Sequence, residues 1–286
     1  MILLIRWLLR RRRERLAGQP ASARRTAAGR GPMVLVLHQA RYDLLGFLRN
    51  RQARFFTLIL PLLFLIIFVG VFGNHTLKNG VKASTYYVPG LSALGIIAAS
   101  FVNLVISITA QREGGILKRR RATPVPAWVL IAGRTLTAVT VSLVVLAVLL
   151  AFGRFVYGVH LRTVALPGVA FTAVVGSVTF CVLGYALSTA ITNEDAAQPM
   201  TQAIMLPLYF ISGVFVPSLQ LPSWLRHVAE VFPVQHLTDA LVNAYDPAAH
   251  GVGIVWSDIG VLALWAAIGV AVALTRFSWL PKTASA

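Results

Sequence analysis

A single cysteine, Cys181, among 286 residues removes any intrachain disulfide and any multi-cysteine metal site. It lies inside an apolar run and carries no signal of an oxidising compartment. Acidic residues are nearly as scarce, with nine Asp and Glu against 26 Lys and Arg, and the formal net charge is +17. Charged residues make up only 12% of the chain, where a soluble domain runs near about a quarter. Hydrophobic residues reach 57% and the mean hydropathy is +0.74, which excludes an ordinary soluble domain. The cationic excess alone would fit a nucleic-acid binder. The apolar residues, however, gather in runs long enough to cross a bilayer, so no nucleic-acid partner is expected and the basic residues are read first as topology.

Six apolar stretches stand out, at about 55–73, 88–110, 128–152, 164–191, 200–216 and 254–275. A helix rises about 1.5 Å per residue, so about 20 residues span the hydrocarbon and each stretch is a candidate transmembrane helix. Six spans put both termini on one side. Lys and Arg are retained on the cytoplasmic face. On this topology all but five of the 26 (Lys78, Lys82, Arg154, Arg162 and Arg226) fall on the side of the termini, which are therefore expected to be cytoplasmic, in a bacterial plasma membrane. The fold class expected is an all-α polytopic membrane protein.

Residues 1–32 do not read as a secretory signal, because MILLIRWLL is too short to span and its arginines follow the apolar stretch. The Ala, Arg and Gly of 17–32 have no periodicity and read as a disordered basic extension, with Met33 as an alternative start. Residues 33–54 place Val34, Leu37, Tyr42, Leu45 and Leu48 among charges at helical spacing, as in an amphipathic interfacial helix or an ordinary juxtamembrane segment. The six-helix domain then occupies 55–277 and a cytoplasmic tail 278–286.

What the spans lack decides against chemistry. None carries Asp, Glu, Lys, Arg or His near its middle, and Arg134 and Asp258 sit near ends from which side chains reach the interface. No HExxH spacing occurs, no metal site is expected, and no His lies in a span to activate Ser212, which reads as a small residue at a helix break. Catalytic residues are therefore none. The same emptiness disfavours a proton- or sodium-coupled carrier. A GxxxxGK[ST] loop is absent, so this chain is expected to bind no cofactor and any ATP and Mg belong to a partner ATPase.

Between the second and third stretches runs Gln111-Arg112-Glu113-Gly114-Gly115-Ile116-Leu117-Lys118-Arg119-Arg120-Arg121-Ala122-Thr123-Pro124-Val125-Pro126. The Gly pair permits a sharp turn, Ile116 and Leu117 make a small apolar face, and the prolines end any helix. A plain positive-inside loop would also carry this charge, but the combination reads as a short rigid helix on the membrane surface. Residues 112–134 resemble the Arg-Glu-x-Gly-(Thr/Ile)-Leu-x-x-Leu/Arg-x-x-Pro signature of the ABC-2 exporter permeases, the family that includes daunorubicin-type drug exporters. A second block, Pro207-Leu208-Tyr209-Phe210-Ile211-Ser212-Gly213-Val214-Phe215-Val216-Pro217, is followed by Leu221-Pro222-Ser223-Trp224-Leu225 and Pro233-Val234-Gln235-His236-Leu237, and is similar to that family's later motifs. Lys118 to Arg121 is more basic than in many members.

The resemblance implies a half-transporter whose interfacial helix and second-to-third loop, the coupling helix, dock on a separate nucleotide-binding subunit. Coupling would fall to Arg112, Glu113, Gly114, Ile116, Leu117, Arg120 and Pro124, with Glu113, Ile116, Leu117 and Arg120 touching the ATPase. Two ATPase copies, a second copy of this chain or a paralogous permease, and membrane lipid are the expected partners. The region of Pro207, Tyr209, Phe210 and Phe215 would close an outer gate, although aromatic packing against lipid explains the same residues. Residues 219–250, with Pro222, Trp224, Pro233 and Pro247, resemble short re-entrant external helices. The substrate path expected from the second and fifth spans uses Phe101, Asn103, Ser107, Tyr209, Phe210, Ser212, Gly213 and Phe215. It suits a hydrophobic or amphiphilic solute such as a drug, antibiotic, lipid or glycolipid. The alternative is a membrane scaffold or immunity protein that binds a ligand without ATP coupling.

Overall fold

The computed structural model describes residues 31–74, 82–121, 125–217, 221–245 and 251–276. The expected N-terminal extension up to residue 30, Pro124, and the tail 278–286 lie outside them. Among the described residues the chain is helical, with no β-strand.

Helix α1, Pro32–Arg49, begins with proline at a position whose N–H has no helical partner and ends with Arg49 beside the negative helix terminus. It stops at Asn50, sooner than the expected 54, because the Asn50 side chain accepts from Ala53 N at 3.0 Å and caps a new helix. That helix, α2 (Arg51–Val71), is the first of five that are long and apolar enough to cross a membrane. The others are α3 (Ala83–Glu113), α5 (Trp128–Tyr157), α6 (Thr163–Ser188) and α10 (Trp256–Arg276). A short helix, α4 (Ile116–Arg121), joins α3 to α5.

The expected span 200–216 is the exception. Its residues lie on α7, Glu194–Ile211, which starts earlier and ends earlier. Asn193 caps it, accepting from Ala196 N at 2.9 Å, and Glu194 and Asp195 favour the positive helix start. Its first half is polar, and the chain turns at Ser212-Gly213, where Gly213 has φ 76°, a conformation costly for any residue with a Cβ. Only the second half of α7 is continuously apolar, so it is not among the five. Two short helices follow, α8 (Ser223–Ala229) and α9 (Pro233–Asn243).

Helix α3 is the axis of the bundle. Every residue from Ala83 to Ile97 except Thr85 is buried. Close approach is possible because small residues face large ones: Gly95 lies against Val145 of α5, and Gly153 of α5 against Val88. A π-turn at Ala98–Val102 rotates the lower half of α3 relative to the upper. Helix α10 packs on α6, and of its residues only Leu262 and Gly269 are buried, which leaves most of its apolar surface to lipid. Helix α1 packs on α5, and α9 inserts among α3, α6 and α10 at the end of the bundle away from α4.

Candidate functional site

At the α4 end, Gly115 (φ 67°) completes the turn between Glu113 and Ile116 that the Gly pair predicts. The direction of each side chain after the turn is new information. Arg112, expected at a docking surface, is only 2% exposed. Its Nη1 donates to Ser188 O at 2.8 Å and its Nη2 to Ile191 O at 2.6 Å, satisfying the last carbonyl of α6 and one in the turn that follows it. Glu113 lies 3.8 Å from Arg112 Nε and is partly exposed. Leu117 is buried with Leu104, Ile108, Ala138, Cys181 and Tyr185, so it anchors α4 to the bundle and is turned away from any partner. Gly114, Ile116, Lys118 and Arg119 are exposed.

Arg120 turns inward as well. With Arg134, Asp43, Asn103, Ser107 and Gln111 it lines a cavity of about 410 Å³ between α1, the lower half of α3 and α5. Arg134 Nη1 donates to Ser107 Oγ at 3.0 Å, Gln111 Nε2 approaches the same oxygen at 3.4 Å, and Arg134 Nε faces Asp43 at 3.8 Å. Burial, then the like charge of Arg134, pushes the Arg120 pKa down, while Asp43 opposes the shift.

The residues of the expected substrate path therefore separate. Asn103 and Ser107 belong to this inner cavity. Phe101 is buried against Phe180 of α6 with ring centroids 6.3 Å apart. Tyr209, Phe210 and Phe215 meet at the other end, where Phe215 lies 5.9 Å from Tyr209 and 5.1 Å from Phe210. Phe64 and Phe68 of α2 approach Phe215 at 5.4 and 5.7 Å, and Tyr87 joins through Phe68 at 5.3 Å. None of these three aromatics was singled out from the sequence; for Phe64 and Phe68 the reason is that α2 is apolar on all sides and gives no facial signal. Tyr86 donates to Gly213 O at 2.7 Å and ties the turn after α7 to the top of α3. Ser212 is buried without a hydrogen bond to its hydroxyl, and Pro207 is exposed.

A polar corner at the α9 end was also missed, because its members are 22 residues apart. His236 Nδ1 faces Asp258 Oδ1 at 2.8 Å and Nε2 faces Glu230 O at 2.8 Å. Both ring nitrogens meet acceptors, so only the imidazolium makes both bonds. The hydrogen bond from Asp258 raises the His236 pKa, against the opposing effect of burial, with smaller support from the Glu230 carbonyl and the charges of Asp258 and Asp239. Burial raises Asp239 to about 6, although Gln235 Nε2 donates to it at 2.7 Å. The folded state thus binds both protons more tightly than the unfolded state. His236 adds stability present in full below its ordinary 6.5 and lost as pH climbs through the raised value. The contribution from Asp239 is complete below 3.8 and lost as pH rises through about 6. Thermal stability in neutral detergent is expected to fall as pH rises from 3.8 to about 6, where Asp239 loses its proton, and again above 6.5, where His236 loses its own, with the upper fall shallower in His236→Gln; equal slopes there would remove His236 from the effect.

Apolar helices around a buried central one, with a short basic helix at one end and a packed pair at the other, define a polytopic all-α membrane protein. A family model described as ABC-2 type transporter matches residues 36–245, and the chain belongs to that family. It is 24% identical over 174 residues to the probable multidrug ABC transporter permease YbhR of Escherichia coli K12, covering 61% of this chain and 47% of that protein. The chain thus spans about half the length of that relative. It is 22% identical over 205 residues to the daunorubicin resistance ABC transporter permease protein DrrB1 of Streptomyces coeruleorubidus, covering 71% and 70%. To the inner membrane transport permease YadH of E. coli K12 it is 23% identical over 186 residues, covering 63% and 72%.

Proposed function

We propose that this chain is the membrane permease subunit of an ATP-driven exporter, moving a hydrophobic or amphiphilic compound outward by alternating access while a separate subunit hydrolyses ATP. The observation that carries the reading is α4. It follows directly on the end of α3, which Arg112 ties to Ser188 and Ile191, and it is seated by Leu117, yet it presents Ile116, Lys118 and Arg119 outward. A helix fixed in this way transmits a push from below as a rigid-body displacement of the bundle. Membership of the family supports the reading, as do the names of relatives given as multidrug and daunorubicin resistance permeases.

On this reading the termini and α4 are cytoplasmic, two ATPase copies dock beneath two permease chains, and ATP and Mg stay in the ATPase. The exposed apolar side of α7, with Met200, Ile204, Leu206 and Phe210, suits a second permease chain across the transport path.

The test is to affinity-purify the tagged chain, identify the ATP-binding-cassette protein that accompanies it, and measure hydrolysis in the reconstituted pair. Ile116→Ser removes an exposed apolar contact and is expected to lower permease-stimulated hydrolysis about tenfold with thermal stability unchanged. Leu117→Ala is expected to lower stability first. Absence of an ATPase from the purified sample, or unchanged stimulation in Ile116→Ser, would favour the scaffold reading.

A further inference from the structure

The polar corner at the α9 end joins three helices through one side chain. His236 is on α9, its Nδ1 faces Asp258 Oδ1 of α10 at 2.8 Å, and its Nε2 faces the carbonyl of Glu230, the residue that ends α8, at 2.8 Å. Donation to both needs a proton on each nitrogen. The neutral ring has one N–H, and that proton stays with the carboxylate, because a hydrogen bond to an ionised acceptor is about twice as strong as one to a carbonyl. Nε2 then turns a lone pair on Glu230 O, and two acceptors 2.8 Å apart repel. The contact that fails is therefore the one to α8.

The three helices are not equally secured without that bond. Helix α9 is wedged into the bundle, with Leu237 and Leu241 fully buried and Leu237 filling the space left by Gly176 of α6. Helix α10 lies along α6. Of the residues of α8, only Ala229 is buried. Trp224, His227 and Val228 are exposed, the packing of α8 is mainly on α7, and the Arg226–Glu230 pair at 4.0 Å ties α8 to nothing else. Trp265 Nε1 donates to Val231 O at 3.0 Å, an exposed bond to the turn after α8. Few charges face the ring. Asp258 does so from α10 and Asp239 from its own helix, while Glu230 and Arg226 of the α8 segment pair with each other. Helix α6 has no charged residue, and those of α3, Arg112 and Glu113, are at its far end.

We propose that His236 is a proton-operated latch: as the imidazolium it fastens the end of α8 to α9 and α10, and loss of its proton frees α8 while α9 and α10 stay in place. Once the ring is neutral, Asp258 and Asp239 also lose the cation between them, in a corner where Asp258 has only 14% of its side chain exposed, and their repulsion adds to the release. Helix α8 lies against α7, which carries Tyr209 and Phe210 of the aromatic cluster, so freeing it bears on that end of the bundle. The proposal rests on the permease reading only in setting this end outside the cell; it requires neither an ATPase nor export.

The experiment places a nitroxide on α8 of the full chain in neutral detergent, through His227→Cys, and follows its mobility by electron paramagnetic resonance from about pH 6 to 9. His227 is exposed and Cys181 is fully buried, so the new thiol is the one that reacts. The mobile fraction is expected to rise with pH through a midpoint above 6.5, clear of Asp239, which titrates at about 6. The ratio of mobile to immobile label grows about tenfold, the change expected when one hydrogen bond from a charged donor is lost. His236→Gln has no proton to lose in this range and gives a spectrum independent of pH. Asp258→Asn removes the carboxylate that favours the charged ring and moves the midpoint to lower pH, whereas a merely structural Asp258 would raise mobility at every pH and leave the midpoint in place. A label at Asn243→Cys, exposed at the end of α9, stays immobile throughout. An α8 label insensitive to pH, a transition that survives in His236→Gln, an unmoved midpoint in Asp258→Asn, or an α9 label that loosens together with α8 would overturn the latch. None of these results depends on ATP hydrolysis, so failure here leaves the exporter reading standing, and failure of that reading leaves this one testable.

Discussion

Replacing Arg112 by methionine is expected to lower the stability of the purified chain by about 3 to 6 kcal/mol, the loss of two hydrogen bonds from a charged donor at about 1.5 to 3 each. The expected shift in the thermal midpoint is roughly 10 °C downward. The cause is the pair of carbonyls at Ser188 and Ile191, which no other group is shown to satisfy once the guanidinium is gone. Methionine keeps much of the buried stem, so the loss reports the head group rather than a cavity. Arg112→Lys should recover only part of it, because a single ammonium cannot reproduce the two directed N–H groups of a guanidinium fork. The permease reading adds a second consequence. Because Arg112 ties the lower end of α3, from which α4 leaves, to the end of α6, stimulation of the ATPase should fall along with stability in Arg112→Met, whereas Ile116→Ser separates the two. A thermal midpoint within a degree or two of the parent chain would mean that the carbonyls find other donors, and the pin assignment would fail.

Arg112 also shows where reading the sequence stops. The turn at Gly114-Gly115, the short helix after it and the five longest apolar helices were legible, because each depends on runs of a dozen or more residues or on backbone chemistry confined to a dipeptide. Which neighbour a single side chain meets was not. Ile116 and Leu117 are adjacent and equally apolar, but on a helix they point about 100° apart, so one faces Tyr185 and the other is exposed. Nothing local to the motif decides which.

The helix expected at 200–216 has other bounds, Glu194–Ile211, for a different reason. Hydropathy joins α7 to the turn after it, since Val214, Phe215 and Val216 are as apolar as the helix, and only the positive φ of Gly213 marks the end. The path residues Phe101, Asn103 and Ser107 share a stretch of α3 through the π-turn. The rotation there directs Phe101 to α6 and the other two to the cavity, and a uniform period of 3.6 could not anticipate that separation.

The turn after α7 is where the second large effect is expected. Phe215 touches rings from α2 and from α7, and the backbone it follows is held by Tyr86 through Gly213. Phe215→Ala removes four edge-to-face contacts worth about 0.5 to 1.5 kcal/mol each beyond apolar burial, so a loss of about 3 kcal/mol is expected from this half-buried site. Phe215→Leu fills most of the space and should lose less.

The functional expectation is larger than the structural one. On the exporter reading this cluster closes the outer end of the path, and its rings exclude solutes by filling the space between α2, α3 and α7. Opening that space should raise ATP-independent passage of an apolar dye through proteoliposomes about tenfold, the change expected for a barrier lowered by about 1.4 kcal/mol. Hydrolysis by the partner should stay unchanged, because α4 lies at the opposite end of the bundle. Tyr86→Phe gives an independent check: it keeps the ring and deletes the bond to Gly213 O, so it should loosen the turn and raise leakage in the same direction by a smaller factor. If Phe215→Ala destabilises the chain without any leakage, the aromatics serve as packing and the closure lies elsewhere. If leakage rises in Phe215→Ala and is restored by Phe215→Leu, volume at this one position is what holds the outer end shut.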